Sequence, residues 1–350
     1  MTDNMETSPG PELLVSIIIT TYNRKDALLE TLEAISRQTV KPSLYEVLVV
    51  DDGSTDGTYE AAVNLKLPCG LKVFRHAQNR GIPAGRNTAI REASGRYLIL
   101  LSDDLVVPDD FVEIHVRTLE AHPGRWVVGG YRQHELALRT PFGRYLDYLE
   151  NSWRKTAEGA EIEPNLWEVP WPTARNLSLP RADLDRTGLF DERYRMVCED
   201  QDLAHEAMKY GIGFLYNGNI TSLHNEQVLE FSRYCRSQTR KAIDTVLFCS
   251  KWPEFHAKAP VVRLNGPITS SDGTKVVLKK RIKSFLALRP VCAVADGFVA
   301  LLERCHAPDG LLWPIYRTVI GIHVFRTWRA ALKTLGREGH AINLGDYSHV

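Results

Sequence analysis

The sequence predicts an α/β protein: a doubly wound, mostly parallel sheet flanked by helices, followed by a helical C-terminal region. Three observations carry that expectation. Short apolar runs rich in β-branched residues alternate with segments of helical periodicity through residue 134. The runs show no polar alternation, as strands covered on both faces require. Beyond Trp252 the alternation stops and the chain turns basic.

Residues 13–19 open the series as a buried strand. Asn23 stands where it would cap the next helix, in which Ala27, Leu28, Thr31, Leu32 and Ile35 recur at helical spacing. Residues 45–50 form the second strand, which stops at Asp51-Asp52-Gly53, and Asp56 opens another helix. Residues 71–75 are the third strand. Residues 82–93 are helical, with Pro83 in a first turn where a missing N–H costs nothing. Residues 96–101 are the fourth strand and end at Ser102-Asp103-Asp104. A helix over 108–120 and a fifth strand over 126–132 follow. The next stretch scatters Trp153, Trp167 and Trp171 among acids and prolines, which predicts a cleft wall rather than more sheet. Glu199, Asp200 and Asp202 open a helix over 199–210. A short strand at 213–216 leads to Leu223-His224, and long helices are expected over 231–249, 291–305 and 311–335.

Apolar residues make up 44% of the 350 and charged residues 25%, which excludes whole-chain disorder and a small disulfide scaffold. Basic and acidic residues number 43 each, so no generally basic nucleic-acid binder is expected. The zero hides a split: residues 1–250 hold 28 basic and 36 acidic side chains, residues 251–350 hold 15 and 7. Six cysteines without a CxxC pair predict neither a zinc site nor a disulfide framework. Residues 1–12 read as a flexible polar tail without the features of a secretory signal. A reduced cytoplasm fits both observations. No apolar run reaches the roughly 20 residues that cross a bilayer.

In a doubly wound sheet, ligands bind beyond the carboxyl ends of the strands. Three polar turns lie there: 20–23, 51–56 and 102–104. Carboxylates repel phosphate unless a cation stands between them, so acids at these ends call for a divalent metal shared with a diphosphate. Neither GxxxxGK[ST] nor GxGxxG occurs in the chain. A nucleotide-diphosphate site built on carboxylates and metal is the reading that remains.

Several motifs in order carry a family likeness. Val15-Ser16-Ile17-Ile18-Ile19-Thr20-Thr21-Tyr22-Asn23-Arg24, Val49-Val50-Asp51-Asp52-Gly53-Ser54-Thr55-Asp56, and Asn79-Arg80-Gly81 with Ala84-Gly85-Arg86-Asn87-Thr88-Ala89-Ile90 form the first group. Leu100-Leu101-Ser102-Asp103-Asp104, Arg175-Asn176-Leu177-Ser178, Gly188-Leu189-Phe190-Asp191-Glu192 and Cys198-Glu199-Asp200-Gln201-Asp202-Leu203 follow. Over residues 14–226 the chain resembles the family 2 glycosyltransferases of the GT-A fold. The resemblance implies transfer of a sugar from a nucleotide-diphosphate donor to an acceptor hydroxyl, assisted by Mn²⁺ or Mg²⁺, with inversion in one displacement. It implies a GT-A catalytic domain over 13–226, with a nucleotide-sugar half (13–134) and an acceptor half (135–226), then a helical, basic region over 227–350.

The resemblance also implies roles. Tyr22 would stack on the nucleobase with Thr20, Asn23 and Arg24 beside it. Asp52 would bind the base edge next to Asp51, and Arg86 would approach the diphosphate. Asp104 and His224 would be metal ligands, with Asp103 on the ribose or a metal-bound water. Ser102 departs from the pattern, standing where the first acid of the DxD motif often stands. Asp200 would be the catalytic base, and Trp171, Arg175, Asn176 and Glu199 would meet the acceptor, whether a saccharide, a lipid-linked sugar or a small molecule. Two other classes compete: a nucleotidyltransferase or sugar-nucleotide hydrolase, and a non-catalytic sugar-nucleotide binder.

Lys275, Lys279, Lys280, Arg281 and Lys283 sit among Val276, Val277, Leu278, Ile282, Phe285 and Leu286. Such a basic amphipathic stretch suits an anionic surface. It predicts peripheral contact with the cytoplasmic membrane face through 275–335. A packed helical subdomain or a homodimer is the competing reading.

Overall fold

The computed structural model describes residues 13–157, 159–226, 229–253, 260–268 and 272–337. The tail expected over 1–12 and the ends of the basic region at 254–259 and 338–350 lie outside the described residues. The chain divides into two compact units, the first from Met1–His134, Ser152–Glu192 and Glu199–Glu226, the second from Glu135–Asn151, Arg193–Cys198 and Gln227–Val350.

The first unit is built on one sheet. Its strands are β1 (Val15–Thr21), β2 (Tyr45–Asp51), β3 (Gly70–Arg75), β4 (Tyr97–Ser102), β5 (Leu105–Val106), β6 (Arg125–Gln133), β7 (Glu161–Glu163), β8 (Leu166–Val169), β9 (Asn176–Pro180) and β10 (Gly213–His224). Their order is β3-β2-β1-β4-β9-β6-β10-β8-β7, with β5 on β10. β1 pairs in parallel with β2 and β4, and β2 with β3. β9 runs antiparallel between β4 and β6.

Helices α1 (Lys25–Ile35), α2 (Thr58–Asn64), α3 (Ile82–Glu92) and α4 (Phe111–Ala121) connect the parallel strands. Alternation of side chains along each strand divides the core between two faces. Ile17 and Ile19 of β1 pack with Val47 and Val49 of β2 against Leu28 and Leu32 of α1 and Phe111 of α4. Ile18 packs with Leu48 and Val50 against Ala89 and Ile90 of α3.

Two expectations change. The stretch after 134 adds β7, β8 and β9 to the sheet, where a cleft wall was expected; these strands are three to five residues long and too short to show a period. The strand expected over 213–216 continues to His224, because a register shift between Asn217 and Thr221 carries the polar Asn217-Gly218-Asn219 within it.

The second unit is helical. α5 (Glu135–Leu138) and α6 (Pro141–Ala157), the latter as far as Asn151, begin it in sequence; within the first unit α7 (Leu184–Thr187) and α8 (Glu199–Met208) follow. α9 (Phe231–Lys251), α10 (Pro260–Asn265), α11 (Thr274–Leu286), α12 (Arg289–Arg304) and α13 (Asp309–Arg337) complete the second unit. Phe142, Tyr145, Phe231 and Tyr316 form an aromatic core, with the Phe142 and Tyr316 rings edge to face at 5.2 Å. Arg144 closes a two-pronged ion pair on Asp309, both contacts at 2.7 Å. Asp244 of α9 accepts three backbone N–H groups, from Arg195 (3.0 Å), Met196 (2.7 Å) and Val197 (3.1 Å). Among the described residues no single helix is long and apolar enough to cross a membrane.

Candidate functional site

Strand register assembles the site at the carboxyl ends of β1, β2 and β4. Thr21 lies opposite Asp51, and Thr20 opposite Ser102. The loop after β4 carries Asp103 and Asp104, and the Thr31 hydroxyl pins it by donating to the Asp103 carbonyl at 3.1 Å. β10 runs antiparallel to β5 with His224 opposite Leu105, which brings the imidazole beside Asp104.

Arg24, Asp103, Asp104 and His224 form one cluster. Arg24 places Nη2 2.9 Å from Asp104 Oδ2 and Nε 3.6 Å from Asp103 Oδ1. His224 Nε2 is 3.2 Å from the same Asp104 oxygen, and Nδ1 is 2.9 Å from Gln133 Oε1. Burial alone would raise Asp104; its contact with His224 and the charges of His224 and Arg24 outweigh that and hold it below the usual carboxylate range. Asp103 goes the other way, raised by burial and by its neighbour's charge, with Arg24 opposing.

Two groups of the cluster, Asp104 and His224, could hold a divalent cation. Gln133 Oε1 accepts from Nδ1–H, an assignment made from the hydrogen bond; Nε2 then either carries a second proton and donates to Asp104 or, in the neutral ring, turns a lone pair toward the carboxylate. Two acceptors at 3.2 Å need a proton or a metal between them. Among the described residues no three His, Cys, Asp or Glu side chains gather as a ready ligand set. Asp104 and His224 would therefore be the protein's ligands, leaving positions for diphosphate oxygens and water.

On the nucleotide side, Tyr22 is exposed and available for stacking, whereas the Thr20 hydroxyl is buried without a hydrogen-bond partner. Asn23 does not cap α1. It adopts a left-handed φ of 53°, accepts the Thr55 N–H at 2.8 Å and donates its own N–H to Ser54 at 2.8 Å, tying the β1 and β2 turns together. Asp51 is fully buried, holds the Ser54 N–H at 3.2 Å and meets Arg75 at 3.4 Å. Asp52 faces protein on both oxygens: Oδ1 takes the Arg80 N–H at 2.9 Å and meets His76 at 2.7 Å, and Oδ2 takes the Gly81 N–H at 2.8 Å. In this structure Asp52 thus shapes the turn instead of offering an open edge to a base. An open hollow next to it is lined by Gly53, Ser54, Thr55, Arg75, His76 and Ala77.

Arg86 is also committed to protein. It pairs with Glu199 at 2.6 Å and donates to the Ala174 carbonyl at 2.9 Å, both buried. The Ala174 N–H donates in turn to Asp200 Oδ2 at 3.1 Å. Arg86, Glu199 and Asp200 thus hold Ala174 by both its backbone groups, the C=O and the N–H. Burial and the adjacent Asp200 charge raise Glu199 to about 7 in spite of Arg86. Its second oxygen is buried without a partner. Asp200 is half-buried, with Oδ1 on the Gln201 N–H at 2.9 Å.

Arg175 and Trp171 are exposed, and Arg175 donates to the Tyr131 hydroxyl at 3.0 Å. Asn176 differs from the acceptor contact expected of it. It is fully buried in β9, bonded to His115 Nε2 at 2.9 Å and to the Gly130 carbonyl at 3.3 Å. Its partner His115 is held well below the ordinary histidine value, at about 4, by burial.

Gln133, His76, Asn87 and Ala174 support the site without having been singled out in the sequence. Asn87 clamps the 188–192 turn through the Phe190 carbonyl (2.8 Å) and N–H (3.0 Å). Asn87 lay within a quoted motif, which was its signal; Gln133 and Ala174 act only through partners far away in the chain.

Comparison with known proteins gives a consistent set of likenesses. The family model described as "Glycosyl transferase family 2" matches residues 16–175. The Bacillus subtilis (strain 168) protein named "Uncharacterized glycosyltransferase YfnE" is 25% identical over 340 residues, covering 84% of this chain and 85% of that protein. Validoxylamine A glucosyltransferase of Streptomyces hygroscopicus subsp. limoneus is 30% identical over 224 residues, 57% of this chain and 49% of that protein. Among solved structures, the mannosyltransferase PcManGT from Pyrobaculum calidifontis, in complex with GDP-Man and Mn²⁺, superposes with a TM-score of 0.59 at 22% identity, covering 93% of this chain and 90% of that one.

Proposed function

Starting from a chain that is a family 2 glycosyltransferase with the GT-A fold, we propose that it moves a sugar from a nucleotide-diphosphate donor to an acceptor hydroxyl with inversion, Asp200 serving as base. The observation that carries this reading is the pair of carboxylate clusters of one unit, Asp103-Asp104 with His224 and Glu199-Asp200 with Arg86. The GDP-Man and Mn²⁺ of the Pyrobaculum enzyme support the donor class and a divalent ion.

Tyr22 would stack on the base, while the unpartnered Thr20 hydroxyl and Arg75 in the neighbouring hollow offer polar contacts. Arg24 holds the acid pair until an anionic diphosphate competes for it. A cation on Asp104 and His224 would offset the charge that builds on the leaving diphosphate. Asp200 would take the proton from the acceptor hydroxyl as its oxygen bonds to the anomeric carbon. The bond from that carbon to the diphosphate oxygen breaks on the opposite side, so one displacement inverts the centre. Such a base contributes about 10²–10⁴-fold in rate. The acceptor, saccharide, lipid-linked or small molecule, would meet Trp171 and Arg175, both exposed. We place the enzyme in the cytoplasm, where the free thiols of its six cysteines suit a reducing compartment.

The test is turnover of GDP-, UDP- and dTDP-sugars with and without Mn²⁺. Asp200→Asn should keep the donor-induced rise in melting temperature yet lose about 10²-fold or more of transfer. Asp104→Asn should abolish the Mn²⁺-dependent part of that rise. Full transfer by Asp200→Asn would remove the base, and an unchanged Mn²⁺ response in Asp104→Asn would remove the metal site.

A further inference from the structure

A helix that packs in a soluble unit needs one apolar stripe. In the second unit α12 has two. Cys292 and Val299 are buried, and α12 packs on α13. Val294, Phe298 and Leu301, spaced i, i+4 and i+7, are exposed, Val294 by 73%. The neighbouring α11 repeats the arrangement with Leu278, Ile282 and Phe285, the last 64% exposed. Large apolar side chains grouped in this way on two consecutive helices mark an interaction face.

Charge says what the face meets. At about 100° per residue, Lys275 and Lys279 fall roughly 60° and 100° to one side of Leu278 and Arg281 roughly 60° to the other, all three exposed. Cations therefore border the α11 stripe on both edges. Each acid of 272–304 already faces a partner: Asp272 pairs with Lys280 at 2.7 Å, Asp296 lies 2.8 Å from His323, and Glu303 accepts from the Tyr316 hydroxyl. A lysine beside an apolar stripe can sink its methylenes and raise its ammonium to a phosphate. The two helices meet at a bend of 81°. At 13 and 16 residues each spans only about 20–24 Å, short of the ~30 Å hydrocarbon core.

We propose that α11 and α12 lie in the headgroup boundary of an anionic bilayer, apolar stripes inward and lysines and arginines on lipid phosphates. This anchor is independent of the sugar-transfer reading.

Flotation of the full chain with vesicles tests it. The chain should float with phosphatidylcholine vesicles containing phosphatidylglycerol, less at high salt, and poorly with phosphatidylcholine alone. Phe285→Asp with Phe298→Asp should weaken partition ~tenfold or more with unchanged circular dichroism, since both side chains are exposed. Lys275→Glu with Lys279→Glu and Arg281→Glu should remove the preference for anionic lipid. Absence of flotation, or flotation indifferent to the phenylalanine pair, would overturn the proposal. So would a dimer in sedimentation that the phenylalanine pair dissolves while no vesicle binds, which would give the face to a second copy of the chain.

Discussion

Glu199 shows how one side chain can be held against its solvation. It is buried, next in sequence to another acid, and has one oxygen without a partner. Its proton affinity rises from the ordinary 4.5 to about 7, so the folded chain keeps a proton that the unfolded chain has lost between those values. Stability should thus fall as pH climbs through that window and level off above it. Arg86 answers the charge that appears. Arg86→Met should accordingly cost about 1.4 kcal/mol more at pH 8 than at pH 5, because without the guanidinium Glu199 holds its proton where the parent chain has released it. Urea unfolding at the two pH values checks this, and an equal loss at both would show that Arg86 serves packing alone.

The elements meet the site through close approach. α3 lies so near β1 that a Cβ on Gly85 would stand 2.3 Å from Thr20 Cγ2. Gly85→Ala should destabilise by about 1–3 kcal/mol. Thr20→Ala should recover much of that loss in the double variant, and strictly additive losses would deny the contact. Gly53 works differently: its φ of +82° and a virtual Cβ 2.9 Å from the Gln78 backbone leave no room for any other residue in the Asp52 turn. At this scale the sequence was most readable where strands were long and apolar, as in β1, β2 and β4. It was silent on β9, whose five residues insert antiparallel between β4 and β6. The acids of the site were visible, since three apolar runs end on them. Their employment was not: Asp52 serves the Arg80 and Gly81 amides, and Arg86 serves Glu199. Such partners lie 28 to 113 residues apart, beyond any local pattern.

At the scale of the molecule, the charge split has a structural address. The exposed cations of 275–304 belong to the second unit, and the acid clusters of the site to the first. The units are not consecutive in sequence. Glu135–Asn151 and Arg193–Cys198 belong with the helices that follow residue 227. Ending the chain at residue 226, where the family resemblance stops, would therefore strip Phe142 and Tyr145 of Phe231 and Tyr316. A chain of residues 1–226 should be poorly soluble, with a melting temperature well below that of the full chain. Equal solubility and stability would show that α6 needs none of those partners.

Asp244 carries this interleaving into time. The three amides it collects belong to residues 195–197, immediately ahead of Glu199 and Asp200, yet Asp244 is 47 to 49 positions later. Synthesis runs from the N-terminus, so the sheet's strands are all complete before that carboxylate exists. On the ribosome, the segment ahead of Glu199 and Asp200 waits for a residue still to be translated. A chain that stalls before residue 244 has its strands but no acceptor for those amides, so the segment 195–197 is the last of these parts to be fixed.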